Sequence, residues 1–119
     1  MFIIRGLPGS GKTHLANEIC KIFTDSVLCS ADNFRPPDVT YPYPKDILAS
    51  SHRHCQNAVE KSAKDGVAVI VVDNSNLRLW EVNPYLSIAL EHDYTEVVIE
   101  PDTKWKWNPI ELAARSTQV

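Results

Sequence analysis

Short apolar runs alternating with segments of helical spacing predict a three-layer α/β fold: a small parallel sheet of four strands with helices on both faces. Two observations carry that prediction. Phe2-Ile3-Ile4 and Val67 to Val72 are continuously apolar, as strands buried on both faces must be. After Thr13 and after Asp46, apolar residues recur three and four apart, the spacing of a helix face. The 119 residues suit one such domain, 1–119, and leave little room for a second.

Taken in order, Phe2-Ile3-Ile4 is the first strand, stopped by a glycine-rich turn. Leu15, Ala16, Ile19, Ile22 and Phe23 then mark one face of the first helix. A second strand covers roughly Val27 to Ser30. Residues 33–45 carry Pro36, Pro37, Pro42 and Pro44, which exclude regular structure and predict a surface loop. From Asp46 a helix follows through Ile47, Leu48, Cys55, Val59 and Ser62 to Lys64, and Gly66 ends it. Val67 to Val72 is the third strand. A third helix is expected with Asn83 as its cap and Pro84 in its first turn, running to about Glu91. Thr95 to Ile99 is the fourth strand. Asn108-Pro109-Ile110-Glu111 has the cap, first-turn proline and capping-box acid of one more helix, barely begun when the sequence stops at Val119. The expectation is therefore an unpaired edge at Thr95 to Ile99, and with it either self-association into a homo-oligomer or a further segment in the natural protein.

Composition narrows the function. The chain is 44% hydrophobic and 23% charged, ordinary for a globular protein. A net charge of −3 and a pI near 5.7 exclude a general basic field, so any nucleic acid must be held by a local basic site. Cys20, Cys29 and Cys55 are odd in number and widely spaced, which fits neither a disulfide framework nor a zinc site. Reduced thiols in an intracellular protein, cytoplasmic or nuclear, are expected. Met1 to Ile4 is too short for a signal peptide and ends at Arg5. Val67 to Val72 is too short to span a membrane, and no membrane partner is expected.

In such sheets ligands sit at the carboxyl ends of the strands. Those ends are Gly6 onward, Ser30 to Arg35, Asp73 to Asn76 and Glu100 onward. Gly6-Leu7-Pro8-Gly9-Ser10-Gly11-Lys12-Thr13 matches G-x-x-x-x-G-K-[ST] at every fixed position, between a strand and a helix as its mechanism requires. This is a P-loop. Its glycines let successive N–H groups face one concavity that binds phosphate oxygens, and the helix beginning at His14 adds its positive end. Lys12 is expected to reach the β- and γ-phosphates of ATP or GTP, and Thr13 to ligate Mg²⁺.

Asp73 follows the third strand, which is expected to lie beside the first and bring it near Thr13, and it is the candidate second magnesium residue. Turn formation or helix capping by Asp73-Asn74-Ser75-Asn76 is the alternative. Asp32, just after the second strand, is the candidate base for a phosphoryl acceptor. Arg35, three residues on, is the candidate fork for an acceptor phosphate. Both are otherwise solvated loop charges. His52 and His54 are two apart on a helix, on different faces, and do not form a paired metal site. Trp105 and Trp107 alternate with Lys104 and Lys106, and packing against the last helix is favoured over a base-stacking role.

Further stretches stand beside the P-loop in a fixed order: Ser30-Ala31-Asp32-Asn33-Phe34, His52 to Gln56, Val72-Asp73-Asn74-Ser75-Asn76-Leu77, Trp80-Glu81, Pro84-Tyr85 and Glu100-Pro101-Asp102-Thr103-Lys104-Trp105-Lys106. Together they resemble the P-loop kinase domain of the Nedd-four-binding protein two family. That family is a set of 5′-polynucleotide kinase-like proteins related to the N-terminal domain of the myelin cyclic-nucleotide phosphodiesterase and, more distantly, to phage polynucleotide kinase. The resemblance covers nearly the whole chain. It implies a P-loop kinase fold, ATP with Mg²⁺, and the 5′ end of RNA or DNA as acceptor. It assigns Lys12 and Thr13 to ATP and Mg²⁺, Asp32 to the base, Arg35 to the acceptor phosphate, Asp73 or Asn74 to the acidic site, and Arg115 to the lid. The family often has a second acid where Asn33 stands, and Ala114 and Ser116 replace a lid arginine and asparagine. Relatives continue past the lid, so a chain cut after it is expected. A small-molecule P-loop kinase and a nucleotide-binding module without efficient catalysis are the competing readings.

Overall fold

A computed structural model describes residues 1–40, 42–103, 108 and 110. Strand β1 spans Phe2–Ile4, helix α1 Lys12–Ile22, strand β2 Ser26–Cys29, helix α2 Lys45–Lys64, strand β3 Val69–Asp73, helix α3 Leu79–Glu91 and strand β4 Val97–Ile99. A short 3₁₀ turn, Ala31–Phe34, follows β2. The four strands form one parallel sheet in the order β2-β3-β1-β4. The third strand does lie beside the first, and Ile4 is in register with Asp73.

Alternation along the strands builds two cores. Ile3, Ile70 and Val72 face α2 and α3, where they meet Cys55, Val59, Tyr85 and Ala89. Ile4 and Val71 face the other way, onto Ala16 and Ile19 of α1. The central strands β1 and β3 are therefore buried on both faces, as their continuously apolar sequences require.

Several element bounds differ from the expectation, each for a local reason. Val67 belongs to the end of α2, because its N–H bonds to Ser62 O at 3.1 Å while Gly66 N–H bonds to Ala63 O at 3.1 Å. Gly66 takes φ 74 in this Schellman cap, so β3 begins only at Val69. Ser30 leaves β2 because its hydroxyl accepts the Asp32 N–H at 3.3 Å and turns the chain. Helix α3 starts at Leu79 with Arg78 as its cap, which leaves Pro84 inside the helix. The buried face of Val82, Tyr85 and Ala89 needs that earlier turn. Glu81 and Val82 N–H secure it on Arg78 O at 3.0 and 3.3 Å. The proline costs one bond to the carbonyl of Trp80, a residue exposed to water, which can solvate it. In α1 the buried face is only Ala16 and Ile19; Ile22 is 72% exposed, and Phe23 lies past the helix against Phe2. The expected strand start at Thr95 is held by the chain terminus instead, since the Met1 ammonium bonds to Thr95 O at 2.8 Å.

Among the described residues no strand pairs the outer edge of β4, and Val97 and Val98 are exposed. The Asn108 side chain accepts the Ile110 N–H at 3.1 Å, the bond expected of a helix cap. The rest of that helix, Arg115, and the Lys104 to Trp107 stretch lie outside the described residues. Among the described residues, no helix is long and apolar enough to cross a membrane.

Candidate active site

The loop from Gly6 to Lys12 closes back on itself, and its composition is what allows this. A Cβ on Gly6 would stand 2.6 Å from Ser10 Oγ and 3.3 Å from Lys12 Cγ. Gly11 has φ 103, and a side chain there would press on Thr103 at 3.1 Å. Within the loop, Ser10 N–H bonds to Leu7 O at 3.1 Å, and the Lys12 ammonium reaches Leu7 O at 3.4 Å. Leu7, Pro8 and Gly9 are half-buried, Ser10 is buried, and His14 is exposed on the first turn of α1, away from the cleft described below.

Three struts hold the loop against the sheet. Arg5 donates to Asn76 O at 2.7 Å and Leu77 O at 2.8 Å. Asn76, in a left-handed conformation at φ 49, donates its side-chain amide to Ile4 O at 2.9 Å. Gly6 N–H bonds to Ser75 O at 3.0 Å. Behind the loop the Thr103 hydroxyl donates to Ser10 O at 2.9 Å, and Pro101 packs beside Gly6 and Gly11.

Because β1 and β3 are neighbours, Thr13 and Asp73 meet. The Thr13 hydroxyl donates to Asp73 Oδ2 at 3.1 Å. A hydroxyl and a carboxylate so placed are hard oxygen donors that suit a small divalent cation. Burial pushes the Asp73 carboxyl up from its ordinary value, against the Thr13 hydrogen bond and the Lys12 charge that lower it, while Asp32 raises it further. Burial pulls the Lys12 ammonium below the ordinary lysine value, and the charges of Asp73 and Asp32 act in the opposite direction.

Asp32 and Arg35 enter from the end of β2. Arg35 Nη1 donates to Asp32 Oδ1, and its guanidinium lies 4.6 Å above the Tyr43 ring. The Arg35 side chain is only 10% exposed, and its Nε is buried with no hydrogen-bond partner among the described residues. Arg35 is therefore not a solvated loop charge, whereas the Asp32 side chain that pairs with it is 65% exposed. Asn74 sets their position. Its Oδ1 accepts the Ala31 N–H at 2.8 Å, and its amide donates to Tyr85 OH at 3.3 Å. One buried side chain thus ties the ends of β2 and β3 together.

These groups line one cleft of about 340 Å³. Lys12, Thr13 and Asp73 line it together with Asp32, Arg35 and Tyr43, and Asn74, His52, Leu48 and Glu81 complete the lining. His52 points into it, whereas His54 stacks on Phe34 with centroids 5.8 Å apart, so the two histidines do occupy different faces. Burial, then the Arg35 charge, push His52 below the ordinary histidine value. Arg5, Tyr43, Asn74, Asn76 and His52 had no signal in spacing alone, because each acts across a fold contact. Arg5, His52, Asn74 and Asn76 were marked in the sequence only by the stretches that carry the family resemblance, and Tyr43 lies outside those stretches.

A family described as an AAA domain matches residues 1–118. The chain belongs to that family. Among AAA-domain relatives, NEDD4-binding protein 2 of Homo sapiens is 34% identical over 116 residues, 98% of this chain. The 2′,3′-cyclic-nucleotide 3′-phosphodiesterase of Mus musculus is 26% identical over 117 residues. The chain spans only 7% of the first protein's length and 27% of the second's. In architecture this AAA domain is similar to a chain of the Pnkp1/Rnl/Hen1 RNA repair complex, with a TM-score of 0.69, 20% identity, and coverage of 96% of this chain and 35% of that one. It is also similar to the APS kinase CysC of Mycobacterium tuberculosis in complex with AMPPNP and APS, with a TM-score of 0.64, 16% identity, and coverage of 97% and 72%. The fold is that of P-loop kinases, and the family expected from the sequence is the family found.

Proposed function

We propose that this domain transfers the γ-phosphoryl group of ATP to the 5′-hydroxyl of a polynucleotide. One observation carries the reading: a single cleft is lined both by the P-loop lysine with the Thr13–Asp73 pair and by Asp32 with Arg35. A nucleotide-binding module needs only the first set. The second supplies what an acceptor needs, a carboxylate to take a proton and a guanidinium to hold a phosphate.

In this reading the backbone N–H groups from Gly6 to Thr13 hold the phosphates of the ATP substrate. Lys12 neutralises charge on the transferring group. Thr13 and Asp73 are the residues that fit Mg²⁺, which supplies charge neutralisation at the phosphate oxygens when bound. Arg35, oriented by Asp32 and Tyr43, holds the acceptor's phosphate with its guanidinium. Asp32 takes the proton of the 5′-hydroxyl. The acceptor oxygen then bonds to the γ-phosphorus, the bond from that phosphorus to the β–γ bridging oxygen breaks, and ADP leaves. Arg115, through the family resemblance, is the lid residue that adds positive charge. The polynucleotide class is supported by the resemblance of the sequence to 5′-polynucleotide kinase-like proteins and by the likeness in fold to a chain of an RNA repair complex. All three cysteines are free, which supports a reducing, intracellular setting.

Asp32→Asn separates chemistry from binding, since it keeps shape and hydrogen bonding but removes the base. ATP affinity is expected to stay within a few-fold, while transfer to a 5′-hydroxyl oligonucleotide falls by roughly a hundredfold or more. Undiminished transfer in this variant would remove Asp32 from the mechanism.

A further inference from the structure

A second groove, of about 500 Å³, adjoins the cleft and shares Leu48 and His52 with it as a common wall. One stripe of α2 forms its floor. Lys45, Leu48, Ala49, His52, Arg53 and Gln56 recur three and four residues apart, as one helix face requires. The opposite wall is Trp80 at the start of α3. Trp80 is 71% exposed, an indole left in water by the monomer's own packing. Its neighbour Glu81 lines the cleft, so α3 turns its first residues to both sites.

We propose that this groove holds the nucleotides that follow the 5′ end, with a base stacked on Trp80 and backbone phosphates met by Lys45 and Arg53. The proposal rests on the polynucleotide reading above and extends it beyond the terminal nucleotide. Two features choose this occupant over a protein segment. The first is charge: the chain carries −3 overall, yet the charged residues lining this groove are basic, and none of its described lining residues is acidic. A local basic site is what an acidic protein must have to hold a phosphate backbone. The second is continuity: the cleft and the groove share Leu48 and His52, so a strand whose 5′ end is held beside Arg35 can run from one into the other. An aromatic face beside basic residues is a pairing that holds single strands with little sequence preference.

Binding is read by fluorescence anisotropy with a single-stranded 5′-hydroxyl oligonucleotide of about eight nucleotides, labelled at its 3′ end, a length within the range of single-strand sites. Trp80→Ala is expected to weaken it by roughly tenfold, and Trp80→Phe to recover most of the loss. Arg53→Gln should lower the slope of log affinity against log salt by about 0.7. Trp80 is exposed, so the variants should keep the parent's circular dichroism and thermal midpoint. The second readout is the preference for the oligonucleotide over a nucleoside 3′-phosphate, which occupies the cleft alone. That preference should fall with Trp80→Ala. Oligonucleotide affinity and salt slope unchanged in these variants overturn the groove, while transfer to the nucleoside 3′-phosphate leaves the catalytic reading standing. Conversely, groove-dependent binding without transfer to either acceptor keeps the groove and overturns the phosphotransfer. A folded parent that binds no oligonucleotide overturns the groove.

Discussion

Lys12 is held between two opposing demands. Burial disfavours its charge, and Asp73 and Asp32 favour it. The ammonium reaches the loop's own Leu7 carbonyl at 3.4 Å, a long contact that costs little to exchange for a phosphate oxygen. Lys12→Ala should therefore weaken ATP binding by roughly ten- to hundredfold, the worth of a hydrogen bond to a charged group, and abolish transfer. Calorimetric titration with ATP checks this, and unchanged affinity would remove Lys12 from the nucleotide site. His52 allows a pH test. Its folded value lies below the ordinary 6.5, so the unfolded chain binds the proton first as pH falls. Its contribution is present above that pH and lost as pH drops through the window below it, making stability rise with pH there. Urea unfolding across that range should give a shallower slope for His52→Gln than for the parent; identical slopes would contradict the assignment. At this scale the residues with fixed spacing, Gly6 to Thr13, were readable from sequence. Asn74 and Asn76 were not, because turn chemistry in Asp73-Asn74-Ser75-Asn76 has the same letters as a buried strut, and only the β2 and β1 backbones they grip tell the two apart.

The elements were legible where the hydrophobic period was unbroken and misplaced where a cap or a proline intervened. β1 lay where Phe2-Ile3-Ile4 put it, and α2 ended at its glycine as expected. Pro84 misled, because a proline in the first turn is the common case, and only the buried Val82 reveals an earlier start. Strand β4 has its own consequence. It is three residues long, sits at the sheet's edge among the described residues, and carries the exposed Val97 and Val98. Open edges with apolar side chains recruit further strands. The chain is expected to self-associate through this edge in sedimentation velocity at high concentration, and Val98→Lys, which places a charge on the edge, should shift it toward monomer. A strictly monomeric parent under those conditions would contradict the idea.

At the scale of the molecule, the strand order does the assembly. Placing β1 between β3 and β4 brings the P-loop beside Asp73 on one side, and Pro101 and Thr103 beneath it on the other. Placing β2 beyond β3 brings Asp32 and Arg35 across the cleft. Four sequence segments separated by tens of residues thus converge because every strand points the same way. The convergence followed from the α/β pattern, whereas the groove under Trp80 did not, since it depends on how α3 leans across α2. The most direct test of the whole account is transfer from γ-labelled ATP with Mg²⁺, comparing two single-stranded oligonucleotides that differ only in carrying a 5′-hydroxyl or a 5′-phosphate. The account predicts label on the 5′-hydroxyl oligonucleotide and none on the blocked one. ATP bound by the folded chain with no label on either, or equal label on both, would contradict it.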